Sequence, residues 1–217
     1  MIIIAIDETD FNKASNIIDQ LDSSKCMIKI GSVAFNSIGH NVIDYAAKEG
    51  FDIFLDLKLH DIPNTVKKSI QSLSSLPIKM LTVHTSGGKD MMSAAMEAVS
   101  GTDIKVFGVT VLTSLSDEDT NTIFKRTSSN QVEAMLDSAE LAGIDGVVCS
   151  PHELELLSKR TSLLSITPGI RLENSNDDQK RVMTPKDAID LGADYLVIGR
   201  PITSSENIGE SLNKIFQ

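Results

Sequence analysis

Short apolar runs recur along this 217-residue chain, and each is followed by a longer stretch with helical spacing. The runs are IIIAI (2–6), CMIKI (26–30), DIFLDLK (52–58), MLTVH (80–84), KVFGVT (105–110), GVVCS (146–150), LLSIT (163–167) and YLVIG (195–199). Their length and their near-continuous Ile, Val, Leu and Phe content predict strands buried on both faces. Amphipathic stretches at 11–22, 36–48, 64–75, 88–99, 130–142, 152–159, 185–191 and 205–216 predict helices between and after them. Strand alternating with helix predicts a parallel sheet. Eight such units predict an α/β fold, a compact (β/α)8 TIM barrel, in a single domain over residues 1–217. A doubly wound open sheet shares the alternation and ranks second. It usually carries a glycine-rich loop after its first strand, where this chain reads DETD, and neither GxGxxG nor GxxxxGK[ST] occurs. The one long irregular connection, PGIRLENSNDDQKRVM at 168–183, is predicted to be a lid or binding loop.

The third run breaks the apolar pattern. Asp56, Lys58 and Asp61 interrupt it, and Pro63 ends it. A charge in a core is costly unless it is paired or used. Asp56 and Lys58 are two apart and so point to the same side of a strand. Each favours the charged form of the other, which would hold Lys58 protonated as an acid ready to deliver a proton. Lys29, on the neighbouring strand, would balance Asp56 from the other side. A buried salt-bridge network that only fixes register is the plainer reading, and function is favoured over it because charge clusters in clefts mark sites.

In a barrel of this kind the site forms at the C-terminal ends of the strands, and phosphate is often held after strands 7 and 8. Asp7 ends strand 1 and His84 ends strand 4; Gly199 and Arg200 follow strand 8. Gly199 permits close backbone approach and Arg200 offers a bidentate fork, with Arg171 and Gln179 of the long loop available to close over the same anion. A surface salt bridge is the other reading of Arg200. His40, His60 and His152 show no metal-like spacing. Asp7, Asp56 and Asp61 are conceivable Mg²⁺ ligands, but Lys29 and Lys58 beside them already supply positive charge.

Composition narrows the partners. The charge is −10, with 30 acids against 20 bases, which argues against non-specific nucleic-acid binding. A small anionic ligand remains compatible, since a local cluster of bases and amides binds one. Cys26 and Cys149 form no CxxC and lie in apolar runs, so buried reduced thiols are expected. No signal sequence and no membrane-length apolar run are read, and a soluble, cytoplasmic protein is expected.

The stretch LDLKLHDIPNT (55–65) resembles the D-x-K-x-x-D-I-P-N-T signature of the orotidine 5′-monophosphate decarboxylase family. The resemblance runs through AIDETD, IKIG, VTVLTS, TPGIR, DDQKRVMTP and GADYLVIGRPI, and so spans the chain. Related phosphosugar barrels share only D-x-K-x-x-D. The resemblance implies cofactor-free conversion of orotidine 5′-monophosphate to UMP in de novo pyrimidine biosynthesis, with no metal. It implies Lys58 as proton donor, Asp56 against the substrate carboxylate, and Lys29 and Asp61 completing the charged array. Asp7 and Lys29 would hold the ribose. Ser116, or Thr113 by a shift of register, would contact the pyrimidine, and Pro168 would line the base pocket. Arg171, Gln179, Gly199 and Arg200 would form the phosphate end. A homodimer is implied, with Asp61, Ile62 and Thr65 completing the partner's site. For Asp61 by itself, capping of the following helix is the plain alternative. Two rival functions remain: a Mg²⁺-dependent sugar-phosphate decarboxylase or aldolase on the same barrel, and a non-enzymatic nucleotide-binding barrel.

Overall fold

The computed structural model describes residues 1–160, 162–171 and 183–216. Eight parallel strands close into a barrel in chain order: β1 (Ile2–Ile6), β2 (Cys26–Gly31), β3 (Ile53–Leu59), β4 (Met80–His84), β5 (Lys105–Val109), β6 (Gly146–Val148), β7 (Leu164–Thr167) and β8 (Tyr195–Ile198). The last pairs with the first through Ile2, Ile3 and Ile4 against Leu196, Val197 and Ile198. The strands are apolar runs because a parallel strand must be covered on both faces, and the β8–β1 pairing closes the sheet they form.

The period of two decides which residues go where. Ile2, Ile4 and Ile6 join the large core between sheet and helices, whereas Ile3 and Ala5 fill the barrel with Met27, Phe54, Met80 and Phe107. Inside the barrel the aromatic rings meet edge to face: the Phe54 and Phe107 centroids are 6.5 Å apart, and those of Phe107 and Tyr195 are 6.1 Å apart. These side chains plug the lower barrel and leave its C-terminal mouth open.

The helices described are α1 (Phe11–Ile18), α2 (Ser32–Ile38), α3 (Asn41–Lys48), α4 (Pro63–Leu73), α5 (Gly88–Val99), α6 (Asp117–Phe124), α7 (Ser128–Ala142), α8 (Leu154–Leu157), α9 (Pro185–Asp190), α10 (Arg200–Thr203) and α11 (Ile208–Lys214). Four places differ from the sequence reading, one of them α10, which no predicted helical stretch covers. The stretch 36–48 is two helices, α2 and α3, parted by Gly39 at φ 77°, a left-handed conformation that ends α2. The stretch 152–159 holds the end of a 3₁₀ turn, Pro151–Glu153, and then the single turn α8. Helix α6 was not expected, because it buries only Thr120 and carries little apolar periodicity. It is held instead by polar chemistry at its start: Ser116 and Asp119 form a reciprocal cap, and Asp117, Glu118 and Asp119 face the positive end of the dipole.

Both cysteines are free and buried, as the apolar runs predict. Burial pushes the Cys26 thiol up to about 12. Among the described residues no helix is long and apolar enough to cross a membrane.

Candidate active site

The strand that carries the charges is irregular where it carries them. Leu55 lies opposite Leu81 but Leu59 lies opposite Val83, so four steps along β3 span two along β4. The excess is taken up by a bulge in which Lys58 adopts φ 52°. A non-glycine residue in that region costs on the order of 1 kcal/mol and persists only where its surroundings enforce it. The bulge re-aims the end of β3, so that the Lys58 Nζ folds back onto Asp56 Oδ2 at 2.8 Å.

Three more groups complete the cluster. Lys29 of β2 lies 3.6 Å from the same Asp56 oxygen and 3.4 Å from Asp7 Oδ1 at the end of β1. Charges therefore alternate along the mouth as Asp7, Lys29, Asp56, Lys58. Gly31, beside Lys29 in β2, leaves the space for this: a Cβ there would lie 2.8 Å from Lys29 Nζ and 3.5 Å from Asp7 Oδ1. Thr82 of β4, fully buried, donates to Asp56 Oδ1 at 2.9 Å and accepts from the Lys58 backbone N–H at 2.9 Å. Neither Gly31 nor Thr82 is singled out by sequence. Burial on its own would raise the Asp56 pKa; the Lys29 and Lys58 ammonium groups, with hydrogen bonds from Lys58 and Thr82, outweigh it and hold the carboxyl below the usual range.

The cluster opens onto a cavity of about 710 Å³. Asp7, Lys29, Asp56 and Lys58 line one part of it; Pro168, Arg171, Gly199 and Arg200 line another. Phe54, Ile166, Val109, Val148 and Val197 give it an apolar floor. Arg171 is nearly buried and donates to the Ile170 carbonyl, whereas Arg200 is exposed at the start of α10. A pocket of this size, apolar below and charged at two places, is suited to a nucleotide-sized anion with a polar reacting end.

A family model described as orotidine 5′-phosphate decarboxylase / HUMPS family matches residues 1–215. The chain belongs to that family. An orotidine 5′-phosphate decarboxylase of Saccharophagus degradans is 43% identical over 220 residues, covering 99% of this chain and 92% of the relative. One from Wigglesworthia glossinidia brevipalpis is 46% identical over 222 residues, covering 99% and 95%. The crystal structure of orotidine 5′-phosphate decarboxylase from Lactobacillus acidophilus superimposes with a TM-score of 0.86 at 33% identity, covering 99% of this chain and 96% of that one.

The rest of this family's signature is placed differently from the Asp56–Lys58 pair. Asp61, Ile62, Pro63, Asn64 and Thr65 form an exposed run on the rim, outside the walls of the cavity, and Ile62 is 67% exposed. Asp61 Oδ1 accepts from the Ile62 N–H, and the residue preceding α4 is extended Ile62, so Asp61 is not that helix's N-cap. Pro63 occupies the first turn of α4, where its missing N–H costs little. Of the two candidates for the base, Thr113 lines the cavity, while the Ser116 hydroxyl is committed to Asp119 in the cap of α6. Gln179 lies outside the described residues. His84 is half-buried beside His60, with ring centroids 5.3 Å apart. Burial, then the His60 and Lys58 charges, lower its pKa against the opposing pull of Asp56. No group of three or more His, Cys, Asp or Glu among the described residues is arranged to hold a metal ion.

Proposed function

We propose that this chain is an orotidine 5′-monophosphate decarboxylase that forms UMP without a cofactor, in de novo pyrimidine biosynthesis. The observation that carries the reading is the Lys29–Asp56–Lys58 array on the wall of the cavity that Arg200 also lines, in a chain of this family.

The chemistry follows from the charges. Breaking the bond from C6 to the carboxylate releases CO2 and leaves the electron pair on C6, where the ring delocalises it poorly. An ammonium group already in place stabilises that charge as it develops, at no cost in reorganisation. Lys58 serves as that group and then gives its proton to C6, yielding UMP; solvent reprotonates the amine. Asp56 stands against the substrate carboxylate, and Lys29 and Asp7 hold the ribose hydroxyls. Pro168 and Thr113 border the base, with Ser116 available to it if α6 shifts. Arg171, Gln179, Gly199 and Arg200 take the phosphate. The phosphate does not react, but its binding energy organises the charged end.

The reading extends to a homodimer in the cytoplasm, made by a single barrel domain over residues 1–217. Support for the dimer comes from the rim. The large apolar Ile62 and the polar Asp61 and Thr65 face outward rather than into their own cavity, as expected of residues that complete a second subunit's site.

The test is the loss of orotidine 5′-monophosphate absorbance with the purified protein in EDTA, with UMP identified as product. Turnover is expected to persist under chelation. Tight UMP binding with no turnover, or turnover that EDTA abolishes, overturns the proposal.

A further inference from the structure

We infer that Thr82 is a positioning residue for the reaction, setting the Lys58 ammonium and the Asp56 carboxylate through one hydroxyl. The inference rests on the decarboxylase reading and goes beyond it, since Thr82 does not line the cavity. Its Oγ1 makes two bonds of opposite sense. It donates to Asp56 Oδ1 at 2.9 Å and accepts the backbone N–H of Lys58, also at 2.9 Å. The second Asp56 oxygen receives Lys58 Nζ at 2.8 Å. Thr82, Asp56 and Lys58 thus close a ring in which the hydroxyl fixes the backbone of the residue whose side-chain tip meets the carboxylate.

That ring falls where the β3–β4 ladder fails. Between Leu55 and Leu59 the register slips, and the Lys58 N–H takes a side-chain acceptor on β4. The left-handed backbone of Lys58 has to be enforced from outside, because a lysine gains nothing from it locally. Thr82 is 1% exposed, so no water can take over either bond. A buried threonine could serve only to satisfy the sheet, and the experiment separates that role from positioning.

Thr82→Val keeps the shape and removes both hydrogen bonds; Thr82→Ser keeps the hydroxyl. Wild type and both variants are assayed for kcat and KM on orotidine 5′-monophosphate, UMP affinity and thermal midpoint. Mispositioning a reacting group by about 1 Å costs on the order of 100-fold. Thr82→Val is therefore expected to lower kcat about 100-fold, with UMP affinity within about threefold of wild type. Thr82→Ser should recover most of kcat. Should the valine variant not fold, Thr82→Ala takes its place, with the same loss expected. A folded Val or Ala variant with kcat within threefold of wild type overturns the inference while the decarboxylase reading stands. Loss of kcat, UMP affinity and thermal midpoint together, unrescued by serine, assigns Thr82 to structure only and also overturns it. A wild type that never turns over the substrate overturns the decarboxylase reading and takes this inference with it.

Discussion

Lys58 carries three constraints at once: a left-handed backbone, an N–H given to Thr82, and an ammonium given to Asp56. Under the proposed mechanism it is the group that meets the developing charge. Lys58→Ala is expected to lower kcat by more than about 1,000-fold. The circular dichroism spectrum should stay near wild type and the thermal midpoint should fall, because buried Asp56 loses Lys58 but keeps Lys29 and Thr82 as partners. Near-normal turnover would exclude it as proton donor. If Arg200 holds the phosphate as proposed, Arg200→Ala removes a charge-assisted contact of about 1.5–3 kcal/mol. That corresponds to a fall of roughly 10- to 150-fold in kcat/KM, and unchanged kinetics would move the phosphate elsewhere. Titration at the mouth has a definite sign. Asp56 and His84 both have pKa values lowered by the fold, so the unfolded chain binds their protons more tightly. The His84 contribution is present above about pH 6.5 and is lost as pH falls through its lower folded value; that of Asp56 is present above about pH 4 and is lost below it in the same way. The urea midpoint should therefore decline between pH 7 and pH 5. His84→Gln should flatten that part of the curve, and an unaltered slope would mean other groups set it.

At the scale of elements, glycines decide what the strands can do. Gly146 opens β6 against Leu164 of β7, and a Cβ there would lie 2.3 Å from the Leu164 carbonyl oxygen and 2.6 Å from the Phe107 ring. Backbone cannot move aside as a side chain can. Gly146→Ala is expected to destabilise the barrel by about 1–3 kcal/mol or more, read from chemical denaturation; a change under about 0.5 kcal/mol would mean the β6–β7 seam yields. Gly31 is the contrasting case, because the atom in the way is the tip of Lys29. Gly31→Ala should leave stability nearly unchanged and displace Lys29 from Asp7 and Asp56. A fall of on the order of 100-fold in kcat/KM is expected, and wild-type kinetics would show that Lys29 need not stand there. The elements themselves were readable to differing degrees. All eight strands were, since near-continuous burial writes apolar runs into the chain. Helix α6 was not, because it is held by Ser116, Asp119 and the dipole rather than by an apolar face.

At the scale of the whole molecule, the barrel brings two separated ends of the chain together. Lys58 of β3 and Arg200 after β8 border one cavity, and ring closure through β8 and β1 makes that possible. Asp61, Ile62 and Thr65 are turned away from that cavity, and the proposed dimer gives them a use. Mixing and reassembling two inactive variants, Lys58→Ala and Asp61→Ala, tests it. Each mixed dimer would hold one site with both residues intact, restoring about a quarter of wild-type activity from a statistical mixture. No recovery, with mixed dimers shown to form, would place Asp61 outside the partner's site.

The chain by itself determined the order and kind of its main elements, the eight-unit alternation of strand and helix, and the Asp56–Lys58 pair with its partner Lys29. These are written locally: burial imposes a period on each segment, and a charged pair at strand spacing stands out from an apolar run. Tertiary structure decided the rest. Thr82 is one inward threonine in MLTVH until β4 lies beside β3 and brings it to Asp56, 26 positions away. The bulge at Lys58, the clearance at Gly31, and the choice of Thr113 over Ser116 as the residue on the cavity wall depend on how neighbouring strands and helices meet. Such contacts arise from stagger and closure of the barrel, which no single segment encodes.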